Sequence, residues 1–418
     1  MMKRKYFVCI FLLSFLGNLQ SYPVIALESL TVEQAIQAAL EDNPDLLAAR
    51  QELEVARGGE VNARLFNRFN PTVNGQVWNR NNPGSGNVTD SQVTLSQEVE
   101  IAGQRGLRRE AATRNVTRVD ARVKNRERLI TGQVMRAFYQ ALTLQKRLGL
   151  RKEIETLNLR IRDASKARFK AGVTPIMESN LAGIRYGQSR KETFVAEASF
   201  QNALLDLRRL LGWEPERSIE LSGQLRNAPK AVPLPDLLQR AQAQRPDLIA
   251  AKREVARVKA TMDLTRRLIV PNPTFQGFYQ TETEGPEGAS KMVGGGISIP
   301  LPVFDRKQGE LVTQGGEFNR SRHQVVAVTR NIEREVETAF QAYQAARQSV
   351  EVFEAEVLER IDENFRFIEI AYQEGKIGLL QLIVVQDDLI SAQLSYVDSL
   401  GQFRAAQTNL TQAVGGQP

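Results

Sequence analysis

Nine residues starting at Pro44 (Pro-Asp-Leu-Leu-Ala-Ala-Arg-Gln-Glu) return in closely similar form from Pro246 as Pro-Asp-Leu-Ile-Ala-Ala-Lys-Arg-Glu, 202 positions later. Without a gap, the same offset lays Arg64 on Arg266, Asn70-Pro71-Thr72 on Asn272-Pro273-Thr274, Gly75 on Gly277 and Ala137-Phe138 on Ala339-Phe340. After a slip of one residue, Gly172 meets Gly375. The agreement crosses a helix-like stretch, a break and the start of an alternating stretch, which a chance match between two Ala-rich helices would not do. A unit used twice in one chain points to a pseudo-symmetric object such as a ring or a tube.

Proline placement sets the next constraint. None stands between Pro83 and Pro175, and none between Pro302 and Pro418, so both stretches can be very long helices. In the first, Val134, Ala137, Ala141, Leu144 and Leu148 step by three and four, and Ile154, Leu157, Ile161 and Ala164 resume the step. In the second, Val336, Ala339, Tyr343, Ala346, Val350, Phe353 and Val357 do the same, followed by Phe365, Ile368 and Tyr372. This is the narrow seam of a coiled coil. Each run carries a glycine stop and restart, Ala171-Gly172-Val173-Thr174-Pro175 and Glu374-Gly375-Lys376-Ile377-Gly378. Each half therefore predicts an antiparallel helical hairpin, with an outgoing helix of roughly 100 Å at 1.5 Å per residue. No compact domain is that long.

Ahead of each hairpin the period changes to two. Val73, Gly75 and Val77 alternate with Thr72, Asn74 and Gln76, and Val93 and Leu95 alternate with Thr94 and Ser96. In the second half, Phe275, Gly277 and Tyr279 oppose Thr274, Gln276 and Gln280; Val293, Gly295, Ile297 and Ile299 oppose Gly294, Gly296 and Ser298. Strands of about ten residues suit a membrane barrel. Two exposed hairpins on a water-soluble protein would read the same way. If these strands do enter lipid, four cannot close, and an open edge cannot sit there unpaired. Two chains would supply eight strands and three would supply twelve. Pro271, Pro273, Pro300 and Pro302 fall at the strand ends.

Lys3, Arg4 and Lys5, an apolar run from Tyr6 to Leu16 and the small-residue site Val24-Ile25-Ala26 read as an export signal over 1–26. The only cysteine, Cys9, lies within it, so the exported chain would have no disulfide and no cysteine nucleophile. Removing three cations leaves 52 basic against 48 acidic residues, a balance that excludes a nucleic-acid footprint. No segment after the signal is apolar enough for a transmembrane helix. His323 is the only histidine and lacks metal-ligand partners, and the methionines are scattered. Gly294-Gly295-Gly296 is no phosphate loop, because no helix with Lys-Ser or Lys-Thr follows; it suits close strand packing or a bend at a barrel wall. No metal, cofactor or catalytic motif is legible. Arg168 and Lys170 suit either a helix C-terminus or a docking surface.

In its Asn43-Pro44-Asp45-Leu46 and Arg245-Pro246-Asp247-Leu248 openings, its two hairpins, its Phe169-Lys170-Ala171-Gly172 and Glu374-Gly375 turns and its closing Ala413-Val414-Gly415-Gly416, the chain resembles the TolC-like outer-membrane efflux proteins. The stretches Ile299-Pro300-Leu301-Pro302-Val303-Phe304-Asp305-Arg306 and Glu100-Ile101-Ala102-Gly103-Gln104-Arg105-Gly106 look most like the heavy-metal branch. The resemblance implies a mainly α protein with a small β part. It also implies a homotrimer whose twelve-stranded transmembrane barrel continues as a periplasmic α-helical coiled-coil barrel. The implied partners are a periplasmic adaptor, an inner-membrane transporter of the resistance-nodulation-division (RND) type and outer-membrane lipid. The expected organisation is a signal over 1–26, a first repeat over 27–212, a connector over 213–235 and a second repeat over 236–418. Strands are expected near 71–79 and 91–100, then 273–281 and 292–301; long helices near 104–170 and 175–211, then 306–373 and 378–414.

The expected adaptor-docking tip is Arg168, Phe169, Lys170, Gly172, Tyr372, Glu374, Gly375 and Lys376. The family's acidic tip ring falls on Gln381 and Val384, so it is missing; Glu178 is the candidate for a weaker ring, and Asp387 and Asp388 lie deeper. A periplasmic coiled-coil adaptor or scaffold is the alternative, since it would share the signal and the helical hairpins. It has no reason, however, to repeat alternating strand pairs. A hydrolase is a distant third, with no nucleophile, base and orienter in evidence.

Overall fold

The computed structural model describes residues 29–82, 86–226, 232–283 and 288–416; the expected export signal with Cys9, and the tips of both strand-connecting loops, lie outside them. The chain begins with a two-residue strand β1 (Ser29–Leu30) and a helix α1 (Val32–Asp42). Thr31 caps α1 through Gln34 in a reciprocal box. Asn43 ends α1 in an extended conformation and caps α2 (Pro44–Arg64), with Pro44 at its first position. Next come β2 (Thr72–Asn82), β3 (Gly86–Glu98), the 67-residue helix α3 (Gln104–Lys170) and α4 (Ile176–Leu211). After the connector strand β4 (Glu220–Leu221), the pattern returns as α5 (Leu234–Gln244), α6 (Pro246–Arg267), β5 (Thr274–Thr283), β6 (Ala289–Ser298), α7 (Gln308–Val352), α8 (Leu358–Gln373) and α9 (Leu379–Val414).

Three expectations need correcting. The outgoing helix of the second half is not continuous from 306 to 373, because a π-turn at Phe353–Val357 divides it. A residue inserted into an α-helix is commonly absorbed as such a turn, and the repeats lose register by one residue between Phe340 and Gly375. The connector is not wholly irregular: β4 pairs in parallel with β1, and α5 begins at Leu234. Strands β3 and β6 are displaced toward their loops, because β2 pairs with β3 out to Asn82 and Gly86, and β5 with β6 out to Thr283 and Ala289.

Packing obeys the 202-residue offset. Ala39 and Ala241, Leu46 and Leu248, Ile130 and Ile332, and Val134 and Val336 are all buried equivalents. Two clusters result: one of β1, β4, α1, the start of α2, α3 and the end of α4, joined by Tyr343 and Val350 of α7 and Leu400, Phe403 and Ala406 of α9; the other of α5, α6, α7 and the end of α9. The helices lie side by side in the order α2/α4, α3, α6/α9, α7/α8, with α2 stacked end-on over α4 and α6 over α9. The residue before each Pro-Asp-Leu clasps the stack. Asn43 Nδ2 donates to the Leu210 carbonyl at 2.8 Å, and Arg245 Nη1 donates to the Ala413 carbonyl at 3.0 Å.

Arg245 is buried and also holds Asp247 at 2.6 Å and Glu335 at 2.6 Å. Burial alone would raise the Asp247 carboxyl, but the Arg245 fork and nearby Arg128 hold it below the usual carboxylate value.

Candidate functional site: the hairpin tip and the strand sheet

Both glycine turns close in the same way. Gly172 and Gly375 adopt φ of 72° and 73°, a left-handed conformation that glycine takes without strain. Gly172 N–H donates to the Phe169 carbonyl and Val173 N–H to that of Arg168; Gly375 N–H donates to Tyr372 and Lys376 N–H to Ala371. Each pair, a five-to-two and a six-to-one bond, satisfies carbonyls that a helix end leaves free.

The tip joins the two hairpins unequally. Phe169 is half exposed, whereas its counterpart Tyr372 is buried. The Tyr372 hydroxyl lies 2.9 Å from Ser165 Oγ. Arg168 donates to the Tyr372 carbonyl at 3.3 Å and its guanidinium sits 5.2 Å from the ring centroid. Arg168 is therefore an inter-hairpin brace, and a partly desolvated cation–π contact adds about 1 kcal/mol. Ala182, Leu379, Leu382 and Ile383 fill the seam around Tyr372. Lys170 is exposed, and Lys376 pairs with Glu374 at 2.6 Å. Above this seam a groove of about 270 Å³ runs between α3 and α8, with Ile161, Ile368 and Leu382 along it and Arg160 and Glu369 among its polar residues.

Among the gate candidates, Glu178 is half-buried in the first turn of α4, where the helix dipole favours a carboxylate. Gln381 is exposed, beside the exposed apolar residues Leu380 and Val384. Asp387 is not free: Arg185 of the other hairpin holds it at 2.6 Å. Asp388 is exposed and has no ion pair among the described residues. Ser165 and Arg185 carry no signal in the sequence, because only the packing of the two hairpins brings them to their partners. Among the described residues no three acidic, histidine or cysteine side chains form a metal cluster.

At the other end, the strands form one antiparallel sheet in the order β2-β3-β5-β6. Register aligns the alternation across all four. Val73 faces Leu95, Gly75 faces Val93, Phe275 faces Ile297 and Tyr279 faces Val293, which gives one apolar face that is solvent-exposed throughout. The opposite face carries a row of Gln76, Gln92 and Gln280. On that face Phe278 lies over Gly294, where a Cβ would come within 2.4 Å of its ring; the glycine gives the ring its seat. No described helix is long and apolar enough to cross a membrane.

The sequence profile of the outer membrane efflux protein family matches residues 35–213 and, a second time, residues 237–416. The chain belongs to that family. The double match falls on the two structural halves. The cobalt-zinc-cadmium resistance protein CzcC of Cupriavidus metallidurans is 26% identical over 394 residues, covering 94% of this chain and 92% of that protein. The outer-membrane protein VceC of Vibrio cholerae superposes with a TM-score of 0.73 at 18% identity, covering 92% of this chain and 96% of the other. The CmeC outer-membrane channel of Campylobacter jejuni gives a TM-score of 0.75 at 14% identity, covering 92% and 85%. These two establish the shared fold.

As an outer membrane efflux protein, the chain is the outer-membrane channel of a tripartite pump. Its partners are a periplasmic adaptor and an inner-membrane transporter, and its work is passive conduction rather than catalysis. The helical rod is its periplasmic extension.

Proposed function

We propose that three copies close edge to edge into a twelve-stranded outer-membrane barrel over a continuous helical tunnel, and that the tunnel passes divalent metal cations delivered by a transporter of the RND type. The distribution of exposed apolar side chains carries this reading. Within α3, α6 and α9, the inner helices of the layer, the large exposed hydrophobics are Phe169, Leu380 and Val384, all near the tip. The outer helices expose a series. Val55, Val61, Ile184, Phe194, Val195 and Leu205 stud α2/α4, and Val312, Val326, Val352, Phe367 and Ile370 stud α7/α8. Strands β2 and β6 are the matching sheet edges, without a partner among the described residues. Two unlike edges on one chain make a heterologous contact that closes into a ring, and closure removes the edges that lipid forbids. The even strand count and the β2-up, β6-down order keep the ring antiparallel. Outer-membrane lipid then covers the apolar face.

The metal assignment rests on CzcC, named for cobalt, zinc and cadmium resistance, and on the heavy-metal look of the 299–306 stretch. A wide aqueous duct needs no resident metal ligands. In this reading the exposed tip residues Phe169, Lys170, Glu374 and Lys376, with Gly172 and Gly375 shaping the turns, dock the adaptor. Its helical hairpin lies in the α3–α8 groove as a helix does in an apolar groove. Arg168 and Tyr372 lock the tip, and Glu178, Gln381, Asp387 and Asp388 stand at its gate.

Deleting the gene from its host should lower the tolerated concentrations of cobalt, zinc and cadmium. Unchanged metal tolerance with lowered tolerance to organic toxicants would refute the metal assignment.

A further inference from the structure

The first outgoing helix runs without a break from Gln104 to Lys170, whereas the second carries the π-turn at Phe353–Val357. A clasp is built on that turn. Glu354 receives Arg226 through two parallel bonds, Nε to Oε1 at 2.8 Å and Nη2 to Oε2 at 2.9 Å. The Tyr396 hydroxyl, from α9, donates to the same carboxylate at 3.2 Å. The Phe353 and Tyr396 rings lie 6.0 Å apart. The connector that presents Arg226 is itself anchored: buried Arg404 of α9 donates to the Leu225 carbonyl at 2.7 Å and the Gln224 carbonyl at 2.6 Å. Arg404 also stacks over Tyr139 of α3, 4.7 Å from its centroid. The connector thus straps α3 and α9 to the one place where the long helix departs from α geometry.

Below the strap, the 16 residues of α8 form a lever of about 24 Å ending at the tip. Its buried line is Ile361 and Tyr372, with Phe365 and Ile368 partly buried between them. A second apolar line, Phe367 and Ile370, stands exposed at 60% and 51%. Moving a π-turn past a point re-faces the helix beyond it by one residue, about 100°. A π-turn therefore gives α8 two facings at low cost, and mid-helix departures from α geometry recur at functional hinges.

We propose that the Phe353–Val357 turn is the hinge of the tip gate and the Arg226–Glu354–Tyr396 clasp is its catch. With the clasp made, α8 stays packed on α9 with Tyr372 in its slot; with it released, α8 turns away and the tip opens. The proposal rests on the reading of the tip as the gate.

Planar-bilayer recordings of the purified full-length channel test it, comparing wild type, Arg226→Ala, Glu354→Gln, Tyr396→Phe and Arg226→Ala/Glu354→Gln. Arg330→Ala, which breaks an exposed pair higher on α7, serves as the control. Arg185→Ala, which frees Asp387 at the tip, reports on the gate itself. Because Arg226 is largely exposed, the expected rise in open fraction is modest, about three- to tenfold for each clasp variant. The double variant should rise no further than the larger single one, and the control should not change. A rise with Arg185→Ala but not with the clasp variants would overturn the hinge while leaving the tip as gate. No rise in any variant would overturn both.

Discussion

Removing Arg245 perturbs the joint on which the second helical stack depends, and its cost follows from its contacts. The side chain is buried, forks onto Asp247 at 2.6 and 3.1 Å, and reaches Glu335 at 2.6 Å and the Ala413 carbonyl at 3.0 Å. In Arg245→Ala, Asp247 keeps the Leu248 N–H at 3.0 Å and Arg128, 3.9 Å away, and the Ala413 carbonyl is orphaned. Breaking a buried pair costs about 3–5 kcal/mol. The Glu335 arm adds under about 1 kcal/mol, because that side chain is 43% exposed and water screens it. Since Asp247 is itself 24% exposed, the lower end applies, about 3 kcal/mol. The first-half counterpart sets an internal scale. Asn43→Ala loses one cap and one neutral hydrogen bond, about 1 kcal/mol each. Lysine cannot reproduce the fork, so Arg245→Lys should fall between wild type and alanine. Thermal unfolding of the detergent-solubilised channel, followed by far-UV circular dichroism, should rank Arg245→Ala below Asn43→Ala, with Arg330→Ala near wild type. If Arg245→Ala melts with Arg330→Ala, the stack does not depend on this clasp.

The same cluster sets a pH dependence. The Asp247 carboxyl lies below its usual value when folded, so its stabilisation is complete above the unfolded value near 4 and is lost as pH falls through the folded value; Asp247→Asn should flatten the acid limb of a stability-versus-pH curve. In the sheet, Gly294→Val should push the Phe278 ring off its seat toward the interior face and lower single-channel conductance, and an unchanged conductance would place that ring elsewhere. At the tip, Glu178→Gln should reduce cation preference in reversal-potential measurements with little change in melting, because three carboxylates near a threefold axis favour cations; an unaltered preference would make Glu178 an ordinary first-turn residue.

The long helices and their turns were legible because proline absence, 3-4 spacing and glycine stops are local signals that read the same in any context. The β-hairpins were legible in type but not in extent, since the outer ends of β3 and β6 are polar and only pairing reveals them as strand. The short helices α1 and α5 were missed: Ala35, Ala39, Leu237 and Ala241 bury a narrow face against α3 or α7, and so small a stripe is not distinctive alone. The π-turn left a trace as the one-residue slip between repeats, without saying where the extra residue would go. At the tip, the sequence offers Arg168 and Tyr372 as docking candidates without revealing that the two also join the hairpins. That joint depends on Ser165 and the Tyr372 hydroxyl meeting across 207 positions, which no local pattern records.

In the proposed trimer, the unlike edges of one chain close with those of two further copies. Cysteines placed on the polar face at the two sheet edges, Asn74→Cys in β2 and Gly296→Cys in β6, test it in outer membranes treated with thiol crosslinkers of graded length. Closure at three copies should give a ladder of dimer and trimer that stops at the trimer, seen only when both cysteines are present. Monomer alone, or a ladder that runs past or stops short of the trimer, would contradict it.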